Sequence, residues 1–332
     1  MIASTTKKVR RSLMRWNFTG LGFALMVLMA GPAEAGPIAS IDGSVDLVLG
    51  EILHPTIILL DDFGRTVAGS TSEALGPTVD VLADGHADYF VYSAAGNGAV
   101  HAHTNIFFDD TDPRSLGDEF VVRASSSALL TIDDLVVNGK PGSLTTSLNL
   151  HLTGFLQVGS SVPYSNSIFN GGKPQTVGGA GVSVTAEVFG TQVMNGGLQL
   201  SSANGSSPTA SGSGVLANFS GNDVLTTDPF TVTANTPFSL SLLLSASTLA
   251  GIEDGGAGNA GGSADFSHTL TFVDDRPVFN LPSGYTANSL EAGIVNNQFT
   301  PADGSPTIPE PSAMVLSGIG LSLLCFGRRW IR

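Results

Sequence analysis

The chain has 332 residues, of which 14 are Lys or Arg and 28 are Asp or Glu, so its formal net charge at pH 7 is −14. A chain this acidic is repelled by phosphate backbones, which excludes nucleic acid as a partner. The single cysteine, Cys325, excludes an intramolecular disulfide. Stability must therefore come from a hydrophobic core, for which a chain of this length is sufficient.

The N-terminus has the composition of a secretory signal peptide. Its basic residues are Lys7, Lys8, Arg10, Arg11 and Arg15. An apolar stretch over residues 21–30 follows, and Ala33 and Ala35 supply the small residues of a cleavage site. We predict that residues 1–35 are a signal peptide read by the secretion translocon, so that the mature chain begins at Gly36. The apolar stretch is too short for a membrane anchor, and the adjacent arginines leave a twin-arginine signal as an alternative.

The body between the two ends is more acidic than the whole chain. Five of the Lys and Arg residues lie in the leader and three at the C-terminus, which leaves six against 26 acidic residues and a net charge near −20. A body with this charge stays soluble at a cell surface and attracts divalent cations.

Residues 36–300 show short segments of alternating apolar and polar residues, which is typical of strands. Leu144, Leu148, Leu150 and Leu152 fall on one face of such a segment, and Val182, Val184, Ala186 and Val188 on one face of another. The predicted strands are 44–49, 56–60, 78–82, 87–93, 99–108, 119–123, 128–137, 144–152, 182–188, 230–232, 238–244, 264–272 and 286–292. This pattern predicts an all-β body, a single jelly-roll-like β-sandwich.

Breaks in the alternation predict the connections. Residues 61–64 contain two aspartates and a glycine and predict a turn, and Asn138 followed by Gly139 predicts a hairpin. Residues 160–181 and 251–262 are rich in Gly and predict long loops, and 195–214 is a low-complexity stretch.

The densest acidic cluster contains Asp109, Asp110 and Asp112. Loop carboxylates are ligands for Ca²⁺, which makes these residues a calcium candidate, although the spacing lacks the EF-hand pattern. A solvated acidic turn is the alternative, and no other cofactor is expected. His101 and His103 fall on one face of a predicted strand, where they could form a metal pair with His86 or be ordinary partly exposed histidines.

The body lacks the sequence motifs of common enzyme classes. It has no G-x-S-x-G nucleophile motif and no phosphate-binding loop. Its 26 acidic residues do not single out the carboxylate pair of a glycoside hydrolase. An ice-binding surface would need a repeated Thr-x-Thr array, and only isolated pairs occur. We therefore expect a protein without enzymatic activity.

The C-terminus combines a stiff turn, an apolar run and a basic end. Pro309 and Pro311 keep Glu310 extended, because a residue before proline is pushed out of helical geometry. Residues 313–327 carry no charge, and as a helix these 15 residues would span about 22 Å, somewhat short of a bilayer core of about 30 Å. The run is followed by Arg328, Arg329 and Arg332, which favour a cytoplasmic C-terminal end.

This order of motif, helix and arginines resembles the PEP-CTERM sorting tail of bacterial surface proteins, which is also known as the ice-binding protein C-terminal domain. The resemblance covers residues 309–332, after a spacer over 301–308. It implies that Pro309, Glu310 and Pro311 are the recognition motif of an exosortase-type membrane protease. Such an enzyme would remove the transmembrane helix and release or transfer the body.

Together these features predict an exported, non-enzymatic cell-surface or extracellular-matrix protein. It would be held transiently in the inner membrane by its tail and then associate with exopolysaccharide, as in a biofilm. The alternative is a secreted carbohydrate-binding or carbohydrate-active protein. An exposed row of Trp or Tyr would favour that alternative, but the body has no Trp and only four Tyr.

Overall fold

The computed structural model of the protein describes residues 37–50, 56–68, 70–75, 78–81, 85–110, 119–161, 175–253 and 258–300. The predicted signal peptide, spacer and sorting tail lie outside these residues. In the described ranges the regular secondary structure consists of β-strands alone, which confirms the all-β prediction. None of the described residues forms a helix with the length and apolar character needed to span a bilayer.

The described residues form twenty strands. In chain order they are β1 (Ile38–Gly50), β2 (Thr56–Ala68), β3 (Thr71–Leu75), β4 (Thr78–Val81), β5 (Gly85–Gly96), β6 (Ala99–Asp110), β7 (Glu119–Asn138), β8 (Ser143–Thr146), β9 (Asn149–Thr153), β10 (Phe155–Ser160), β11 (Gln175–Val188), β12 (Thr191–Ala203), β13 (Thr209–Gly214), β14 (Asn222–Thr226), β15 (Phe230–Thr233), β16 (Pro237–Glu253), β17 (Gly258–Phe272), β18 (Thr286–Asn288), β19 (Ile294–Val295) and β20 (Gln298–Phe299).

Two eight-stranded sheets stack face to face as a β-sandwich. The first sheet has the order β13-β12-β11-β16-β7-β1-β2, and β18 pairs with β7. The second has the order β14-β9-β17-β6-β5-β3, with β10 on β17 and β4 on β5. Two small sheets, β15-β8 and β19-β20, complete the fold. The inward side chains of both large sheets meet in one hydrophobic core.

The alternating segments place their apolar side chains as predicted. Leu148, Leu150 and Leu152 are fully buried, and so are Val184 and Ala186. This agrees with the period of two in a strand, where every second side chain points to the same face.

The turn predicted at residues 61–64 is wrong, because β2 runs through it without a break. Asp61 pairs with Val45 and Asp62 with Ser44 in the ladder with β1. A register shift between Val45 and Asp46 inserts one extra residue in β2. Such a bulge allows turn-forming residues to stay in a ladder.

The hairpin predicted at Asn138 and Gly139 is also wrong. Strand β7 does end there, but the chain then crosses to β8, which pairs with β15. A Cβ on Gly139 would overlap the ring of Tyr285, and Asn235 hydrogen-bonds both the N–H and the carbonyl of Gly139. This glycine therefore makes room for an aromatic ring and is not part of a two-residue turn.

The predicted strand over 144–152 is two strands in different sheets, β8 and β9. Between them Leu148 forms a bridge to Phe279. The Asn149 amide donates to the carbonyl of Pro277 and to the side chain of Asn280, both at 3.1 Å. The segment that carries Phe279 is therefore fastened at the junction of the two strands.

The two predicted glycine-rich loops and the low-complexity stretch are partly strand. Strand β11 begins at Gln175, β17 begins at Gly258, and residues 195–214 contain most of β12 and all of β13. A Cβ on Gly178 would lie 2.5 Å from the carbonyl oxygen of Gly159 and 2.6 Å from that of Gly261. Glycine is needed here because backbones of the two sheets touch, and not because the chain turns.

Two regions of the core differ in their contents. Where β10, β11 and β17 meet, Gly159, Gly178, Gly261 and Gly262 bring the sheets into backbone contact, and we call this region the glycine corner. Elsewhere Phe230, Phe238 and Phe279, with the exposed Phe189 at their edge, form what we call the phenylalanine cluster. Its ring centroids lie 5.7 Å (189–238), 6.1 Å (238–279) and 6.5 Å (230–279) apart.

Candidate functional site

The outer face of the second sheet carries the most varied chemistry in the described residues. In β6 the side chains of Val100, Ala102, Ile106 and Phe108 are buried in the core. The alternate residues, including His103, Asn105 and Phe107, therefore point away from the core. The same alternation in β17 turns Ser263 and Asp265 outward, and in β10 it turns Phe155 and Gln157 outward.

A buried polar group lies at one end of this face. The Asp265 carboxylate accepts hydrogen bonds from the N–H of Ser267 at 3.0 Å and from its hydroxyl at 2.6 Å. Nδ1 of His103 lies 3.7 Å from the same carboxylate oxygen. Nδ1 of His101 donates to the Ser267 carbonyl at 2.6 Å. A register shift between Phe266 and Leu270 in the ladder with β6 turns Ser267 toward these partners.

This group contains the residue types of a hydrolase triad in a different order. In a catalytic triad the imidazole stands between the hydroxyl and the carboxylate, so that it can take the hydroxyl proton. Here the carboxylate of Asp265 stands in the middle, and the Ser267 hydroxyl donates to it. Ser267 is also buried. The hydroxyl of Ser267 is therefore bonded to a carboxylate, and in the order Ser267, Asp265, His103 the imidazole does not stand between them as it does in a catalytic triad.

Aromatic rings surround the polar group. The ring of Phe90 meets that of His103 edge-on, with centroids 5.0 Å apart. Burial raises the pKa of Tyr92, on β5 opposite His103, above its usual value, so this phenol is neutral at physiological pH. Phe107 and Phe155 are 45% and 50% exposed, which is high for phenylalanine.

The calcium candidates are only partly within the described residues. Asp109 and Asp110 are the last residues of β6, and Asp112 lies outside the described ranges. Asp109 pairs in register with His86 on β5 and with Asn259 on β17. No group of three or more His, Cys, Asp or Glu side chains in the described part of the chain could hold a metal ion. A calcium site that includes Asp112 stays a prediction.

The outer face of the first sheet has a simpler composition. Its hydroxyl groups bond to one another across strands, as in Ser44 with Ser125 at 3.1 Å and Thr131 with Ser241 at 3.1 Å. Asp46 on β1 pairs in register with Arg123 on β7. Burial raises the pKa of Asp46, while the positive charge of Arg123 acts in the opposite direction. On this face, hydroxyl groups of neighbouring strands therefore bond to one another.

No family model, curated protein or solved structure matches this chain.

The residues predicted for sorting and processing lie outside the described residues. They are Ala33, Ala35, Pro309, Glu310, Pro311, Arg328, Arg329 and Arg332. Of the other site residues predicted from the sequence, the structure places Asp109, Asp110, His101 and His103 on β6 and His86 on β5.

Sequence reasoning missed the two exposed phenylalanines. A signal was present for one of them, because Phe107 and Phe108 are adjacent in an alternating strand and cannot both face the core. Phe155 gave no such signal, since the strand that carries it was not predicted.

Proposed function

We propose that this is an exported, non-enzymatic cell-surface or extracellular-matrix protein that is sorted by an exosortase-type protease and associates with exopolysaccharide. The observation that carries the proposal is the pair of chain ends. A leader with a cleavage site at Ala35 precedes the body, and Pro309, Glu310 and Pro311 precede an apolar run and three arginines. In this scheme the leader directs export, and the apolar run anchors the chain until the protease removes it.

Properties of the body support this location. A cysteine-free body does not depend on the redox state of its compartment, and a large shared core gives it stability without disulfides. The body's acidic surface keeps it soluble outside the cell. A jelly-roll-like arrangement of the sandwich, flanked by the signal peptide and the transmembrane helix, is part of the proposal.

The arrangement of Ser267, Asp265 and His103 on the second sheet supports a role without catalysis. Asp265 stands between Ser267 and His103, so these three residues do not have the hydroxyl–imidazole–carboxylate order of a catalytic triad. We propose no catalytic residues and no required cofactor, and calcium at Asp109, Asp110 and Asp112 remains a separate hypothesis.

Intact mass of the protein from its native host, recovered separately from membrane, cell surface and medium, tests the proposal. We expect a product that begins at Gly36 and ends near residues 309–311. In the variant Glu310→Ala we expect a membrane form that keeps the tail, because the recognition carboxylate is gone. The matched control Asp303→Ala removes an acidic residue of the spacer and should be processed normally. A wild-type product that keeps residues 313–332 in every fraction would contradict the sorting proposal.

A further inference from the structure

An exposed aromatic platform stands on the outer face of the second sheet. The ring of Phe107 leans toward β17, where its Cδ2 lies 3.6 Å from the position that a Cβ on Gly261 would take. The next residue across the sheet is Gly159, which pairs with Gly261, and a Cβ there would meet nothing within 4 Å. Two glycines thus leave a shallow floor beside a half-exposed ring.

A row of polar side chains borders this floor. Gln157, Ser263 and Asn105 lie opposite one another on β10, β17 and β6. Gln157 and Asn105 are exposed, and each amide can donate and accept hydrogen bonds. Hydroxyl groups of a ligand that rested on the floor would therefore find both kinds of partner.

A second ring closes the far side of the row. Phe155 pairs with Asp265, two positions along β10 from Gln157, whereas Phe107 lies two positions along β6 from Asn105. Because β10 and β6 both run antiparallel to β17, the two rings stand at opposite corners of the patch. The strand spacing and rise put their Cα atoms about 16 Å apart. That length suits a chain-like ligand better than a small molecule.

The charge of the patch selects among chain-like ligands. Strands β5, β6, β10 and β17 contain no Lys or Arg, while Asp88, Asp109 and Asp265 border the patch. An anionic polymer would meet only like charge there. The C–H groups of an uncharged sugar ring carry partial positive charge and pack well on the negative face of an aromatic ring.

We propose that this patch, formed by Phe107, Phe155, Asn105, Gln157 and Ser263 around the glycine floor, binds a neutral polysaccharide. The sugar rings would stack on the two phenylalanines, and their hydroxyls would bond to the polar row. The inference deepens the proposed function and rests on its placement of the body among extracellular polysaccharides. It names the surface and the chemical class that association would use.

Affinity electrophoresis of the purified full-length chain in mild detergent tests the proposal. Native gels would contain hydroxyethyl cellulose, dextran or galactomannan as neutral probes, and alginate as the anionic probe. We expect retardation by at least one neutral probe and none by alginate. Phe107→Ala and Phe155→Ala should each weaken the retardation about tenfold, because each removes one stacking ring. Phe107→Tyr keeps a ring and should retain binding.

Leu290→Ala is the matched control for general apolar adhesion. Leu290 is 94% exposed and lies outside the patch, so its loss should leave the retardation unchanged. An unfolding curve of each variant shows whether the fold is intact, which we expect because both phenylalanines are half exposed. Three results would overturn the proposal: no retardation by any neutral probe, retardation by alginate alone, or equal loss in Leu290→Ala. Since binding is measured in vitro, its failure is separate from a failure of tail processing in the host.

Discussion

The glycine corner and the phenylalanine cluster close the same core in opposite ways. In the glycine corner, carbonyl oxygens of the second sheet lie where a side chain of Gly178 would have to be. In the phenylalanine cluster, rings that meet edge to face, such as those of Phe238 and Phe279, fill the space. The stability of one sandwich should therefore fall when a side chain is added in the glycine corner and when a ring is removed from the phenylalanine cluster.

Removing a ring from the phenylalanine cluster should have the largest effect. Phe279 is fully buried and meets both Phe230 and Phe238, so Phe279→Ala should lower the free energy of unfolding by about 4 kcal/mol. Urea denaturation followed by fluorescence or circular dichroism measures this. The control is Phe189→Asn, at an exposed turn position with φ of 55°, where asparagine is well tolerated. A loss as large in the control as in Phe279→Ala would show that burial does not distinguish these rings.

Adding one methyl group in the glycine corner should have the next largest effect. Gly178→Ala would place a carbon against the carbonyl oxygens of Gly159 and Gly261, and rigid backbone cannot move aside. We expect a loss of about 3 kcal/mol, measured from thermal unfolding. Gly159→Ala is the matched control in the same contact, because its Cβ points into open space. If both variants unfold at the wild-type temperature, the two sheets do not touch at this point.

Two equally buried threonines differ in whether the hydroxyl is hydrogen-bonded. Removing the hydroxyl should therefore lower the free energy of unfolding at one of them and raise it at the other. Thr227 and Thr248 are each 4% exposed. The Thr227 hydroxyl oxygen accepts from the N–H of Leu148 at 3.0 Å, whereas that of Thr248 has no hydrogen-bond partner in the described part of the chain. Thr227→Val should cost about 1.5 kcal/mol, and Thr248→Val should add about 1 kcal/mol. The denaturant midpoints of the two variants, compared with that of wild type, measure these changes. A lower midpoint for Thr248→Val would mean that the Thr248 hydroxyl has a hydrogen-bond partner in the wild-type protein.

The smallest expected effect depends on pH. Burial raises the pKa of Asp46 in the folded chain, so the folded state binds a proton at this carboxyl more tightly than the unfolded state does. The stability from this group is therefore present below the unfolded pKa and is lost as pH rises through the folded pKa. From about pH 3 to about pH 7, wild type should lose under about 1 kcal/mol relative to Asp46→Asn. A relative gain over that range would contradict the direction of the shift.

Much of the fold could be predicted because alternation is a local property. Leu150 and Val184 are buried as expected, since a period of two fixes the face on which a side chain stands. The first residues of β11 and β17 could not be predicted, because glycine disfavours strands locally. Glycine is required in these segments because the backbone of the opposite sheet leaves no room for a side chain. The split between β8 and β9 likewise depends on Asn280, more than a hundred residues away in the chain.

The candidate patch was even less accessible to sequence reasoning. Its two rings come from strands that do not neighbour each other in the chain. Its floor consists of Gly159, in a strand that was not predicted, and Gly261, in a predicted loop. Only the register of β10, β17 and β6 brings these residues to one surface.

The sequence by itself determined the acidic, cysteine-free character of the body, its all-β class and the faces of its strongest strands. These follow from composition and from the two-residue period, which need no knowledge of what each strand packs against. Tertiary structure alone decided which glycines are strand residues, which of Phe107 and Phe108 faces solvent, and that Asp265 separates Ser267 from His103. Each of these depends on contacts between distant segments, which a local pattern does not encode.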